Sequence, residues 1–443
     1  MAFTAPTPPS SASASTLASG DSRYTYYPLA LTVITTVFFM WGFLTALNDI
    51  LIPHLKAVFE LNYAQAMLVQ FTFFGAYFLM SLPAGRIVAH LGYKKSIVAG
   101  LIIAGIGAVG FWPAADLRLY PAFLGALFVL ATGITVLQVA ANPYVALLGP
   151  EKTSSSRLTL AQALNSLGTT IAPVFGSLLI LSTKVKSATD IAQLSASEQM
   201  LYRAQEAQSV QTPYIGLAVV LVLLAVFVWI FRLPSLDEST EKADAQRHTL
   251  LDALRYPHVL FGVLGIFFYV GAEVSIGSFM VNYLSQPQIG HMTEQQAAHY
   301  VSLYWGGAMI GRFLGSALLA KMSPRKLLTA FATVNILLLL TTMATSGTTA
   351  MYSIVAIGLF NSIMFPTIFS LGIERMGPLT GKASSLLIMA IVGGAVMPYA
   401  QGFLADNIGV QHAFFLPLLC YAYIVFYGLS GSRIRTAPVD AQS

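Results

Sequence analysis

Twelve apolar runs, each near the ~20 residues a helix needs to cross a bilayer, recur along the chain. They fall at roughly 28–53, 66–89, 95–113, 119–147, 157–181, 213–232, 258–284, 296–320, 326–344, 349–373, 381–405 and 411–431. In hydrocarbon every backbone N–H and C=O must be satisfied within the protein, so each run is expected to be helical. The fold class is an all-α integral membrane protein with twelve transmembrane helices, for which the lipid bilayer is an obligate partner. Charged residues make up 9% of the 443 and hydrophobic ones 56%, where soluble domains carry about 25% charge. A net charge of +5 would suit nucleic acid, but the basic residues sit in short loops between apolar runs, where topology accounts for them. Nucleic acid is therefore not an expected partner. The single cysteine, Cys420, lies in the last run and leaves neither a disulfide framework nor a cysteine-based metal site.

Orientation follows from loop charge. The short loops after spans 2, 4, 8 and 10 hold Arg86, Lys94, Lys95, Lys152, Arg157, Lys321, Arg325, Lys326, Arg375 and Lys382, against Lys56 and Arg118 on the other side. Both termini are thus expected in the cytoplasm. The expected divisions are a disordered tail over 1–22, a six-helix half over 23–232, a cytoplasmic linker over 233–257, a second half over 258–432 and a tail over 433–443. The segment 182–212 reads as a long external loop. A shift of 231 pairs Gly75 with Gly306 and Lys94-Lys95 with Arg325-Lys326, and a shift of 225 pairs Gly168 with Gly393 and Pro173 with Pro398. Such matches between spans already equated by order are the trace of a structural repeat.

Polar groups at membrane depth are few, costly and by default functional. Asp49, inside the first apolar run, is the foremost, and a cation-coupling role follows; an Asp at a helix end reaching interfacial water is the plainer alternative. Glu273, about fifteen residues into span 7, is a second carboxylate of the same kind, a candidate for coupling and for substrate binding. Amides make up the rest: Asn48 in span 1, Gln138 and Asn142 at i, i+4 in span 4, Gln162 and Asn165 at i, i+3 in span 5, Asn282 in span 7 and Asn361 in span 10. Those spacings put each pair on one helix side, and amides both donate and accept. This chemistry suits a neutral polyol, with Trp41 among the aromatics that could face a sugar ring. Interhelical hydrogen bonding is the competing use of such amides. Arg312 in span 8 reads as a cation whose stem snorkels toward the cytoplasmic face rather than one paired with a carboxylate.

Several motifs are similar to those of the fucose–galactose–hexose symporter family of the major facilitator superfamily. They include Leu47-Asn48-Asp49-Ile50-Leu51-Ile52-Pro53, Ala140-Ala141-Asn142-Pro143-Tyr144, Leu160-Ala161-Gln162 with Asn165-Ser166-Leu167-Gly168, and Pro366-Thr367-Ile368-Phe369-Ser370-Leu371-Gly372. The resemblance implies two six-helix pseudo-repeats, proton coupling at Asp49 and a sugar cavity that includes Gln162 and Asn165. It departs in three places. Gln138 stands where the fucose branch has a coupling Glu, Glu273 stands where that branch has Gln, and Ala89 replaces the acid of the superfamily's signature loop Gly85–Lys95. Tyr269–Phe279 resembles the glucose/galactose transporters. The expected function is a cation-coupled importer of a hexose such as glucose, galactose or N-acetylglucosamine. It would work by alternating access as a monomer in a bacterial inner membrane. It would have no cofactor beyond the coupling ion, H⁺ or Na⁺, with Na⁺ held near Asp49. An L-fucose:H⁺ symporter and a drug or metabolite exporter are the alternatives. No His-Glu-x-x-His, nucleophile elbow or phosphate loop supports an enzyme.

Overall fold

The computed structural model describes residues 27–59, 63–117, 119–179, 193–234 and 249–434, without side chains for 47–59, 63–67, 173–179, 203–210, Ala196, Thr212, Glu294 and Gln295. The expected tails over 1–22 and 433–443 fall wholly or largely outside these residues, as does most of the expected linker. Numbered to match the twelve apolar runs, the first six helices are α1 Pro28–Phe59, α2 Tyr63–Leu91, α3 Tyr93–Asp116, α4 Tyr120–Leu147, α5 Ser154–Leu179 and α6 Ala196–Ile230. A short helix, Leu250–Leu254, precedes α7 Pro257–Leu284, α8 Glu294–Leu319 and α9 Pro324–Ala344. The last three are interrupted. α10 is split into Gly347–Asn361 and Met364–Gly372, α11 comprises Thr380–Met389 and Gly393–Ile408 around a 3₁₀ turn, and α12, Phe415–Phe426, runs into a π turn at Tyr427–Gly431.

One boundary differs from expectation. The segment 182–212 is not wholly loop, because α6 begins at Ala196, behind a capping box in which Ser195 and Glu198 each satisfy the other's backbone N–H. The Ala-, Glu- and Gln-rich stretch that follows is a strong helix former too polar to register as an apolar run.

The two halves are built alike. In the first, α1 packs on α5, α2 on α4, and α3 on α4 and α6; in the second, α7 packs on α11 and α12, α8 on α10, and α9 on α10 and α12. The repeat shows in detail at the pair Gly168 and Gly393. A Cβ on Gly168 of α5 would collide with the carbonyl oxygen of Phe39 in α1, and one on Gly393 of α11 with that of Phe267 in α7. Both glycines let backbones approach as side chains would forbid.

Across the two halves, α5 meets α8, and α11 meets α2 and α4. The bonds of this seam gather toward the helix ends that carry most of the loop cations. Ser155 Oγ and Ser370 Oγ lie 2.6 Å apart, Ser156 Oγ donates to the Ser316 carbonyl at 2.7 Å, and Ser316 Oγ donates to the Ser156 carbonyl at 2.9 Å. Ser384 Oγ donates to the Val139 carbonyl at 3.0 Å.

Candidate functional site

Two polar clusters lie at mid-membrane depth, one in each half. In the first, Gln138 Nε2 donates to the Tyr77 hydroxyl at 2.6 Å, joining α4 to α2. Gln162 Nε2 donates to Asn142 Oδ1 at 3.3 Å, joining α5 to α4, while Asn142 Nδ2 bonds back to the Gln138 carbonyl at 3.0 Å. Asn165 Nδ2 donates to the Phe38 carbonyl of α1 at 2.9 Å. The i, i+3 and i, i+4 spacings therefore do bring Gln138, Asn142, Gln162 and Asn165 into one region. Residual exposure separates them. Asn142 is fully enclosed, whereas Gln138 and Gln162 keep 5% and Asn165 keeps 9%, an edge on which a small ligand could act. Trp41 is buried against Phe38, with ring centroids 4.5 Å apart. The side chains of Asn48 and Asp49 lie outside the described residues; their backbone is part of α1.

The second cluster centres on a charge. Arg312 does not snorkel, contrary to expectation. Its guanidinium stays within the bundle, with Nη2 3.9 Å from Glu273 Oε1. Nη1 donates to Ser166 Oγ of α5, in the other half, and Nε donates at 3.4 Å to the Ser362 carbonyl. The cause is local to α10. Pro366 has no N–H for the carbonyl four residues earlier, so the Ser362 oxygen is left without its helical partner, and an unmet carbonyl at this depth is costly. Arg312 supplies the donor. A guanidinium largely withdrawn from solvent in turn calls for an anion nearby, which Glu273 provides.

Asn361 behaves differently from the first-half amides. It is fully enclosed, with Nδ2 donating to the Tyr304 hydroxyl at 2.7 Å, and Oδ1 accepting from the Tyr421 hydroxyl at 2.6 Å and from Asn335 Nδ2 at 2.8 Å. Its carbonyl accepts from the Tyr269 hydroxyl at 3.0 Å. Asn361 is thus the hub of a packed network that reaches Glu273 through its backbone, where the Tyr304 hydroxyl donates to the Glu273 carbonyl at 3.2 Å. Asn282 is exposed near the far end of α7, nine positions beyond Glu273, and the structure does not bring it to either cluster. Asn335 and Tyr421 are members that the sequence reasoning missed; an Asn inside the apolar run of span 9 was the available signal.

A bundle of two six-helix repeats, with its polar side chains concentrated at mid-depth, defines a class of membrane protein, and the comparisons agree. The Major Facilitator Superfamily pattern matches residues 32–391, and the chain belongs to that family. It is 54% identical over 407 residues to the glucose/galactose transporter of Brucella abortus biovar 1, covering 92% of this chain and 95% of that one. It is 36% identical to the L-fucose-proton symporter of Escherichia coli K12, covering 94% and 96% respectively. A solved structure of the transporter FucP in the outward conformation superposes with a TM-score of 0.84 at 35% identity, covering 92% of this chain and 99% of that one.

Proposed function

We propose that the protein is a proton-coupled symporter that imports glucose or galactose by alternating access, with both termini in the cytoplasm of a bacterial inner membrane. The observation that carries this reading is the 54% identity, along nearly the whole chain, to a glucose/galactose transporter, against 36% to an L-fucose symporter. The two clusters supply the chemistry. The partly exposed amides of α4 and α5 would take up sugar hydroxyls, each offering a donor and an acceptor in a desolvated site. Glu273 would accept from the sugar on the opposite wall.

The coupling proton is assigned to Asp49. Gln138 cannot titrate, and Glu273 stands where the fucose branch that this chain resembles has an uncharged Gln, which favours a sugar-binding over a coupling role for it. That the comparisons include a proton symporter favours H⁺ over Na⁺ as the coupling ion. The seam of serines at the cation-rich ends, together with the likeness to an outward conformation, supports a state closed toward the cytoplasm.

The test is uptake of labelled sugars into proteoliposomes under an imposed pH gradient. Glucose and galactose should accumulate in proportion to the gradient, and fucose should compete poorly. Accumulation that follows a Na⁺ gradient at fixed pH would overturn the coupling ion, and preferential accumulation of fucose would overturn the substrate.

A further inference from the structure

Trp305, Met309, Arg312 and Ser316 of α8 recur at i, i+4, i+7 and i+11 and so form one stripe along the helix. Three of them reach α5 of the other half. Ser316 exchanges hydrogen bonds with Ser156, Arg312 Nη1 donates to Ser166 Oγ, and Met309 Sδ accepts from Thr170 Oγ1 at 3.3 Å. Trp305 continues the stripe away from the cation-rich ends, about 10 Å beyond Arg312 by helical rise. Its side chain is exposed at 42%. Leu303, Ile310 and Leu314, the more exposed apolar residues of α8, form a separate stripe on the opposite side of the helix, which suits lipid. The indole is therefore turned toward the space between the halves.

Its position is fixed from two sides. A Cβ on Gly277 of α7 would lie 3.3 Å from the indole Cζ2, so the glycine lets the ring edge rest against that helix, and the Tyr304 ring meets the indole edge-on with centroids 5.2 Å apart. Tyr304 is itself anchored, its hydroxyl donating to the Glu273 carbonyl and accepting from Asn361. Glu273 and Gly277 share one face of α7 at i, i+4, which sets Trp305 one turn outside the Glu273 carboxylate. A fixed aromatic face beside a buried carboxylate suits a sugar, whose hydroxyls bond the oxygens while its carbon-bound hydrogens meet the ring. The face of an indole carries partial negative charge, which attracts those weakly positive hydrogens. Galactose and glucose differ in what they offer it. The axial C4 hydroxyl of galactose puts the hydrogens of C3, C4 and C5 on one side of the ring, whereas in glucose the C4 hydrogen lies on the other side. We propose, on the sugar-transport function given above, that Trp305 stacks on the C3 to C5 face of the sugar and makes the protein favour galactose over glucose.

The test is calorimetric binding of each sugar to the full-length protein in detergent. The wild type should bind galactose more tightly. Trp305→Leu should weaken galactose by about tenfold and glucose by about threefold, and Trp305→Phe should keep the preference. Gly277→Ala crowds the indole without removing it and should erode the preference in the same direction, so a Trp305→Leu that failed to fold would still leave the question decided. Galactose should also change the tryptophan emission of the wild type and of Trp112→Phe/Trp229→Phe, whose lost rings lie exposed on α3 and α6, and change it far less in Trp305→Phe. A wild type without galactose preference, unchanged galactose binding in Trp305→Leu, an equal loss for both sugars, or a full emission change in Trp305→Phe overturns the proposal. A wild type that binds neither sugar removes the transport function as well, whereas gradient-driven uptake with an unaltered preference in Trp305→Leu removes this assignment alone.

Discussion

α4 and α10 occupy equivalent places in the two halves, and the same sequence device has different consequences in them. Pro143 and Pro366 are 223 positions apart (366 − 143), as are Gln138 and Asn361 (361 − 138). Each proline frees the carbonyl four residues before it, Val139 in α4 and Ser362 in α10. α4 nevertheless stays continuous from Tyr120 to Leu147, and a neutral hydroxyl, Ser384 of the opposite half, serves its free carbonyl. α10 breaks between Asn361 and Met364, and a cation serves the equivalent carbonyl. A hydroxyl can leave when the halves part without baring a charge. A guanidinium cannot, and it brings Glu273 with it. At its freed carbonyl α4 therefore meets a neutral group that can exchange partners, and α10 meets a charge pair with a filled network behind it.

Breaking the second half should cost most. Arg312→Gln leaves the Glu273 carboxylate without its counter-ion, a loss of about 3–5 kcal/mol for one partner of a buried pair. It should appear as a collapse of folded yield and thermal stability. Adding Glu273→Gln to it should restore much of that loss, and a double variant as unstable as the single would show that the pair is not what Arg312 serves.

The next effect belongs to the first half. Gln162→Ala or Asn165→Ala should weaken sugar binding by roughly tenfold or more, at about 1–3 kcal/mol for each unmet polar group, with little loss of stability. Calorimetry showing wild-type affinity in both would remove α5 from the binding surface. A smaller change is expected from Ser384→Ala. Losing one hydrogen bond of about 1 kcal/mol should shift the balance away from the closed seam by roughly fivefold, read as faster hydrogen exchange in the cation-rich ends of α4 and α11.

Glu374, outside the membrane spans, should matter least. Burial pushes its carboxyl above the ordinary value of 4.5, while Arg325 beside it pulls the other way. A carboxyl raised on folding contributes stability that is present below its unfolded value and lost as pH rises through the folded one. At neutral pH Glu374→Gln should therefore cost only about 0–1 kcal/mol and flatten the stability profile above pH 4.5. A large loss would show that the pair with Arg325 dominates.

These contrasts were only partly legible in the sequence. The twelve spans could be read because hydrocarbon thickness fixes their length, and the amides of α4 and α5 could be grouped because helical periodicity fixes their side. The polar start of α6 escaped because its helix rests on a capping box and propensity rather than on apolarity. Asn361 looked like Gln138 until Tyr304, Asn335 and Tyr421, distant in sequence, were seen to enclose it. Arg312 was misjudged because snorkelling assumes a cation with nothing to bind nearby, whereas Pro366, fifty-four positions on, had opened a carbonyl for it.

The division of labour between the halves is tested most directly by gradient-driven uptake of labelled galactose in two variants measured side by side. Asp49→Asn should lose accumulation under an inward proton gradient while still exchanging sugar downhill. Glu273→Gln, which leaves Arg312 without its anion, should lower folded yield as well, but the folded protein should require more sugar and accumulate it at saturation. Accumulation at the wild-type level in Asp49→Asn, or lost coupling with unchanged sugar affinity in Glu273→Gln, would contradict the account.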